Sequence, residues 1–161
     1  MYESEKKTVS KWLDLVRGGS DEVWESYRAM MDDNLTWRLI GTTPISGEHK
    51  GLTRVENDFF AKCWAGDGRR GGAEQGLDPG YGIKPLDIRE ITALEDGRVM
   101  VHCFSDGRGK NGVPYKNEYC WIITVKDGKI FKLDEYADTA LIERAMFNKE
   151  IIPSELVSEK A

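Results

Sequence analysis

The sequence predicts an α+β protein whose helices pack on one face of a largely antiparallel sheet. Three observations carry this. The first 65 residues show helical apolar spacing around one short strand. The second half alternates apolar and polar residues in short runs divided by Asp-Gly and Gly-rich turns. No helical stretch separates those runs, so the strands join as hairpins, which excludes a doubly wound parallel sheet.

The first helix covers about Glu5 to Val16, where Val9, Trp12, Leu13 and Val16 make one apolar stripe. Gly18-Gly19 ends it. Ser20 then reads as an N-cap, with Asp21 and Glu22 near the positive end of a second helix. Val23, Trp24, Tyr27, Met30 and Met31 give its stripe. Asn34 to Ile40 is a strand, with Leu35, Trp37 and Leu39 on one face and Thr36, Arg38 and Ile40 on the other. Gly41 to Gly51 reads as a turn-rich connection. A third helix follows, with Leu52, Val55, Phe59 and Cys63 on one side.

Seven of the 17 residues from Gly66 to Gly82 are Gly, which predicts a long surface loop and a candidate pocket rim. Lys84 to Leu94 is a strand whose alternation slips by one residue, the mark of a β-bulge. Arg98 to Phe104 alternates Val99, Val101 and Cys103 against Met100, His102 and Phe104. Ser105 to Gly112 is a polar connection. Tyr115 to Val125 is a long strand with Asn117, Tyr119 and Trp121 in one row. Asp127-Gly128 suits a tight hairpin, and Ile130 to Ala137 is the last strand. Asp138 caps a closing helix that buries Leu141, Ile142, Ala145 and Met146. The whole chain, 1–161, reads as one domain, with 149–161 as a polar tail.

Composition bounds the function. The net charge is −5 and no Lys/Arg block exists, which argues against nucleic acid as a partner. No apolar run approaches the roughly 18–20 residues a membrane helix needs. The charged N-terminus lacks an apolar signal core, so a cytoplasmic location and no membrane partner are expected. Three cysteines without a C-x-x-C read as reduced, buried thiols. Two histidines without a cluster give no metal site. Gly66 to Gly71 formally matches G-x-G-x-x-G, but it follows a helix and enters a loop, which is the wrong context for a dinucleotide.

Several residues stand out chemically. His102 sits mid-strand, either as a hydrogen-bonded core imidazole or as a general acid/base. Asp134 and Glu135 are adjacent in a strand and point to opposite faces, so either one of them looks inward, where an ionised carboxylate is costly, or both sit at a solvated edge. Arg38 is either a surface side chain or the inward partner of a carboxylate or substrate oxygen. Tyr115, Asn117, Tyr119 and Trp121 mix rings and an amide in one row. That suits a pocket for a flat, partly polar ligand, or alternatively a protein interface.

These residues also carry a family resemblance. Asn34 to Gly41 (NLTWRLIG) followed by Pro44 to Gly51 (PISGEHKG) resembles the W-x-x-x-G…P-x-x-G-x-x-x-G signature of SnoaL-like proteins. These belong to the nuclear transport factor 2-like superfamily, with ketosteroid isomerase, scytalone dehydratase and limonene epoxide hydrolase. Tyr115 to Tyr119, Asp127 to Ile130 and Glu135 to Thr139 extend the likeness, which spans about Ser10 to Phe147. The resemblance implies a cone: a curved, mixed or antiparallel sheet wrapped around N-terminal helices, with a pocket that works without a cofactor. It places Arg38 at an inward polar position. It places His102 on the strand where epoxide hydrolases keep an Arg/Asp pair, and Glu135 where they keep a water-activating Asp. The Arg-x-Asp is absent at His102-Cys103-Phe104, which argues against epoxide hydrolysis.

The resulting expectation is a cofactor-independent lyase acting on a hydrophobic, aromatic small molecule by dehydration, aldol-type or deformylating cleavage. His102 and Glu135 would share the proton transfers, and Arg38 would polarise an oxygen. Asn117, Tyr119, Trp121, Phe104 and Tyr27 would bind substrate. This pairing requires His102 and Glu135 on one face of the sheet. The alternatives are an isomerase or epoxide hydrolase of the same fold, and a non-catalytic ligand- or protein-binding domain. A homodimer is expected from the resemblance.

Overall fold

The structure, a computed structural model, describes residues 2–18, 21–65, 75–78, 81 and 86–150. Helices α1 (Glu3–Gly18) and α2 (Asp21–Ala29) open the chain. Val9, Trp12 and Leu13 of α1 are fully buried, as their spacing predicts. The expected N-cap Ser20 and the side chains of Val16 and Val23 lie outside the described residues. Met31, expected on the α2 stripe, instead begins strand β1 (Met31–Leu39). Its side chain is buried from the strand rather than from the helix.

The connection expected after β1 contains a strand of its own, β2 (Gly47–Lys50), paired antiparallel with β1. The third helix is a single run of three pieces: α3 (Leu52–Arg54), a π-helical segment (Val55–Phe60) and α4 (Ala61–Ala65). The remaining strands are β3 (Asp87–Ala93), β4 (Val99–Phe104), β5 (Gly107–Arg108), β6 (Pro114–Tyr115), β7 (Glu118–Lys126) and β8 (Lys129–Ala137), before α5 (Thr139–Phe147). The Asp138 carboxylate accepts from Leu141 N at 3.0 Å and caps α5 as expected.

Six strands form one curved, unclosed sheet in the order β2-β1-β8-β7-β4-β3. Every neighbouring pair is antiparallel except β1 and β8, which run parallel. The α+β class and the mixed, mostly antiparallel sheet are therefore as the sequence predicts. Asp127 and Gly128 both take positive φ (50° and 74°), the two-residue turn whose twist matches the β7–β8 hairpin. The slip expected in β3 is present, between Ile88 and Glu90.

A second register shift decides the site. In β8, Ile130 and then Leu133 and Glu135 face the core, three residues apart and then two. A bulge opposite Thr124–Val125 changes the phase. Without it, Asp134 rather than Glu135 would face inward.

Helix α1 lies on the concave face of this sheet, against β3, β4, β7 and β8. Of the 66–82 connection only 75–78 and 81 are described. There Gly76 N donates to Met146 O and Leu77 N to Cys63 O, which ties the segment to α5 and α4. The expected rim role of the loop, and the 149–161 tail beyond residue 150, lie outside the described residues. No described helix is long and apolar enough to cross a membrane.

Candidate active site

Among the described residues one acidic side chain is buried in the core. Glu135 is 6 % exposed, and the only other buried polar residues among those described are Thr43 and Asn117. Its Oε2 accepts the indole N–H of Trp37 at 2.6 Å. Trp121 lies directly opposite on β7. Its N–H is near enough to favour the ionised carboxylate but falls short of a hydrogen bond, and it has no other partner. Burial wins over these donors and pushes Glu135 up to about 7. The carboxyl thus exchanges its proton near neutrality.

Rings make the surroundings apolar. Trp12, Trp37 and Trp121 form a triangle with centroids 6.1–6.3 Å apart. Tyr27 stacks on Trp12 at 5.1 Å, and Tyr119 lies 5.5 Å from Trp121. The π-helical segment brings two consecutive rings, Phe59 and Phe60, against Trp37 at 5.4 and 5.0 Å. Arg28 Nε pairs with Glu56 at 2.6 Å and ties α2 to that segment. The Glu135 charge reaches Tyr27, Tyr115, Tyr119, Cys63 and Cys103. Burial first, and this charge second or later, hold all five in their neutral forms, Cys103 at about 12.

The expected residues divide by face. Glu135, Tyr27, Tyr119 and Trp121 come together on the concave side. His102 does not join them. Val99, Val101 and Cys103 bury their side chains, so the alternation sends His102 to the outer face, where Nε2 meets Glu118 Oε1 at 2.7 Å. The expected His102–Glu135 acid/base pair is therefore dissolved. Phe104 shares that outer face, 5.2 Å from His102 and beneath Arg89, and is not a pocket residue. Arg38 is corrected likewise. Trp37 takes the inward phase of β1, and Arg38 lies outside against Asp134 (3.5 Å) and the Tyr136 ring. Asn117 is fully buried but spent on structure. It donates to Tyr115 Oη and Asp138 O, and its Oδ1 accepts from Asp138 N.

Trp37, Trp12 and Phe60 were not foreseen at the site, whereas Tyr115 stands in the row of rings and amide that the sequence singles out. The alternation of β1 already put Trp37 on the face opposite Arg38. The parallel β1–β8 pairing, which brings it to Glu135, has no local signal. No group of His, Cys, Asp and Glu that could hold a metal ion occurs among the described residues. A buried carboxyl ionising near neutrality in a ring-lined setting can take a proton from carbon or oxygen and return it.

No family model matches the chain, and no curated protein matches it. Solved structures do. A candidate isomerase from Bacillus subtilis aligns with a TM-score of 0.64 at 16 % identity, over 94 % of this chain and 98 % of its own. An NTF2-like protein from Burkholderia xenovorans LB400 gives 0.61 at 22 %, over 88 % and 95 %. A candidate SnoaL-like polyketide cyclase from Jannaschia sp. CCS1 gives 0.65 at 13 %, over 92 % and 94 %. The chain has the NTF2-like fold shared by these proteins.

Proposed function

We propose that the protein is a cofactor-independent acid–base catalyst that moves a proton on a neutral, hydrophobic, aromatic carbonyl compound. Glu135 is the base that takes the proton and the acid that gives it back. One observation carries this: a buried carboxyl ringed by indoles and phenols, with no described cation beside it and its ionisation at about 7. Such a base suits proton abstraction beside a carbonyl, the step common to aldol-type carbon–carbon lyases, cyclases and isomerases. The similarity to a candidate isomerase and a candidate polyketide cyclase supports the same class. The loss of His102 from the site weighs against a dehydration that needs two titrating groups. A positioned base contributes about 10²–10⁴-fold in rate.

The test is solvent-deuterium exchange at the carbon beside the carbonyl, followed by NMR across a panel of aryl ketones in D₂O with no added cofactor. Exchange catalysed by the wild type and lost in Glu135→Gln is expected. Equal exchange in both proteins, or none across the panel, overturns the reading.

A further inference from the structure

A ligand that is to meet Glu135 from outside has to move a ring. The carboxyl is 6 % exposed, and its hydrogen-bond partner Trp37 is buried as well. Four described rings touch Trp37. Trp12, Trp121 and Phe59 are buried. Phe60 is the exception, 5.0 Å from Trp37 and only partly buried. It also meets Trp24 of α2 at 6.0 Å. Trp24 is 40 % exposed, one of two large apolar side chains so placed among the described residues. Trp24, Phe60 and Trp37 thus form a line of three rings from the surface to the residue that holds the carboxyl.

Both contacts of Phe60 are edge-to-face, with interplanar angles of 79° to Trp24 and 82° to Trp37. Such contacts depend on the ring and not on what carries it. A ligand ring can therefore take over both indoles as Phe60 leaves them. The segment that bears Phe60 is fastened from outside. Glu56, four residues earlier in the same π-helical run, takes Arg28 of α2 at Nε (2.6 Å) and at Nη2 (3.5 Å). Arg28 lies four residues after Trp24, on the same helix face. The two charged side chains are 39 % and 22 % exposed, so water and salt reach the pair. One face of α2 thus holds the π-helical segment by a ring contact and an ion pair.

We propose that aromatic ligands enter between α2 and the π-helical segment, with Phe60 as the door, Trp24 and Trp37 as the seat its ring vacates, and the Arg28–Glu56 ion pair as the latch. The seat sets the ligand class. It takes a flat, neutral ring between two indoles, and it disfavours a ring bearing a carboxylate, which would be carried into an apolar interior beside another carboxyl. Breaking the latch frees the segment from α2 and raises the open fraction without touching Glu135. The proposal rests on the acid–base reading only in taking Glu135 as the group the ligand is bound for.

Opening is read without a ligand, from hydrogen exchange of the Trp37 indole N–H by NMR, against the slowest backbone amides, which report global unfolding. The Trp37 proton is expected to exchange faster than those amides. From about 0.01 M to 1 M salt the Debye length falls from about 30 to 3 Å, and the wild-type rate relative to the amides should rise about two- to fivefold. Glu56→Gln is expected to show the higher rate already at low salt and no rise with salt. Phe60→Ala should raise the rate about tenfold or more. Exchange of Trp37 at the global rate, or the same rate and salt response in wild type and Glu56→Gln, overturns the door and its latch. Should Phe60→Ala not fold, Glu56→Gln decides. For the seat the probe is 2-acetonaphthone, a flat, neutral aryl ketone, at millimolar concentration. Nuclear Overhauser contacts from its ring to both Trp24 and Trp37 are expected, with binding weakened about two- to tenfold in Trp24→Ala. No binding, or contacts that spare Trp24, overturns the seat. Neither readout needs the ligand to react, so deuterium exchange of the aryl ketones judges the Glu135 reading separately.

Discussion

Glu135→Gln carries a stability signature that needs no substrate. The carboxyl ionises at about 7 in the folded protein against an ordinary value of 4.5, because burial disfavours the charge. A group raised on folding contributes stability that is fully present below its unfolded value and is lost as pH rises through its folded one. A tenfold difference in proton affinity is worth a little over 1 kcal/mol, so this carboxyl costs the wild type about 2–3 kcal/mol between pH 5 and pH 8. The amide does not titrate and escapes that loss. Urea unfolding of both proteins at pH 5 and pH 8, followed by circular dichroism, measures the difference of differences. Other titrating groups, such as the lowered Asp96, are common to both proteins and cancel. The expected result is a variant that gains about 2–3 kcal/mol on the wild type as pH rises. Parallel pH dependence in the two proteins refutes a buried carboxyl forced to ionise in an apolar setting.

The catalysed exchange is expected to rise with pH and level off above about 7, as Glu135 loses its proton, and a kcat/KM profile checks this. Trp37→Phe removes the 2.6 Å donor that favours the carboxylate, so the ¹³C titration of Glu135 should move upward by about one pH unit. His102→Ala and Arg38→Ala alter the outer face of the sheet and should leave the exchange rate within about twofold of wild type. Gly109→Ala would drive a Cβ into the Ala145 carbonyl. Thermal unfolding should show a loss of about 1–3 kcal/mol.

What the sequence made legible follows its local signals. Val9, Trp12 and Leu13 declare their helix face, and Val99, Val101 and Cys103 their strand face, because burial and period coincide there. The Asp127-Gly128 turn and the Asp138 cap are short-range chemistry and appear where expected. The site was legible only in part. That Asp134 and Glu135 point to opposite faces follows from alternation. Which one faces inward depends on the β8 bulge, set by strand pairing and invisible in a period-2 pattern. His102 misled because alternation assigns a residue to a face but does not say which face is the core. The neighbours Val101 and Cys103 held that information, as Leu35 and Leu39 did for Trp37 over Arg38. The π-helical segment left Leu52, Val55, Phe59 and Cys63 in an apparently ordinary helical spacing, so the second ring, Phe60, went unnoticed.

The Trp37–Glu135 hydrogen bond joins residues 98 positions apart, across the one parallel pair in the large sheet. The folding chain must close that long loop before the two strands lie side by side, while the β7–β8 hairpin needs only a two-residue turn. The carboxyl therefore meets its indole late on the folding route. A chain halted with the hairpin made and β1 undocked carries Glu135 as an ordinary solvated acid. Trp37 emission in a stopped-flow trace would then time the birth of the site and not only the collapse of the core. Because the two ends of the machinery lie in opposite halves of the sequence, a fragment holding either half alone inherits none of the tuned acidity.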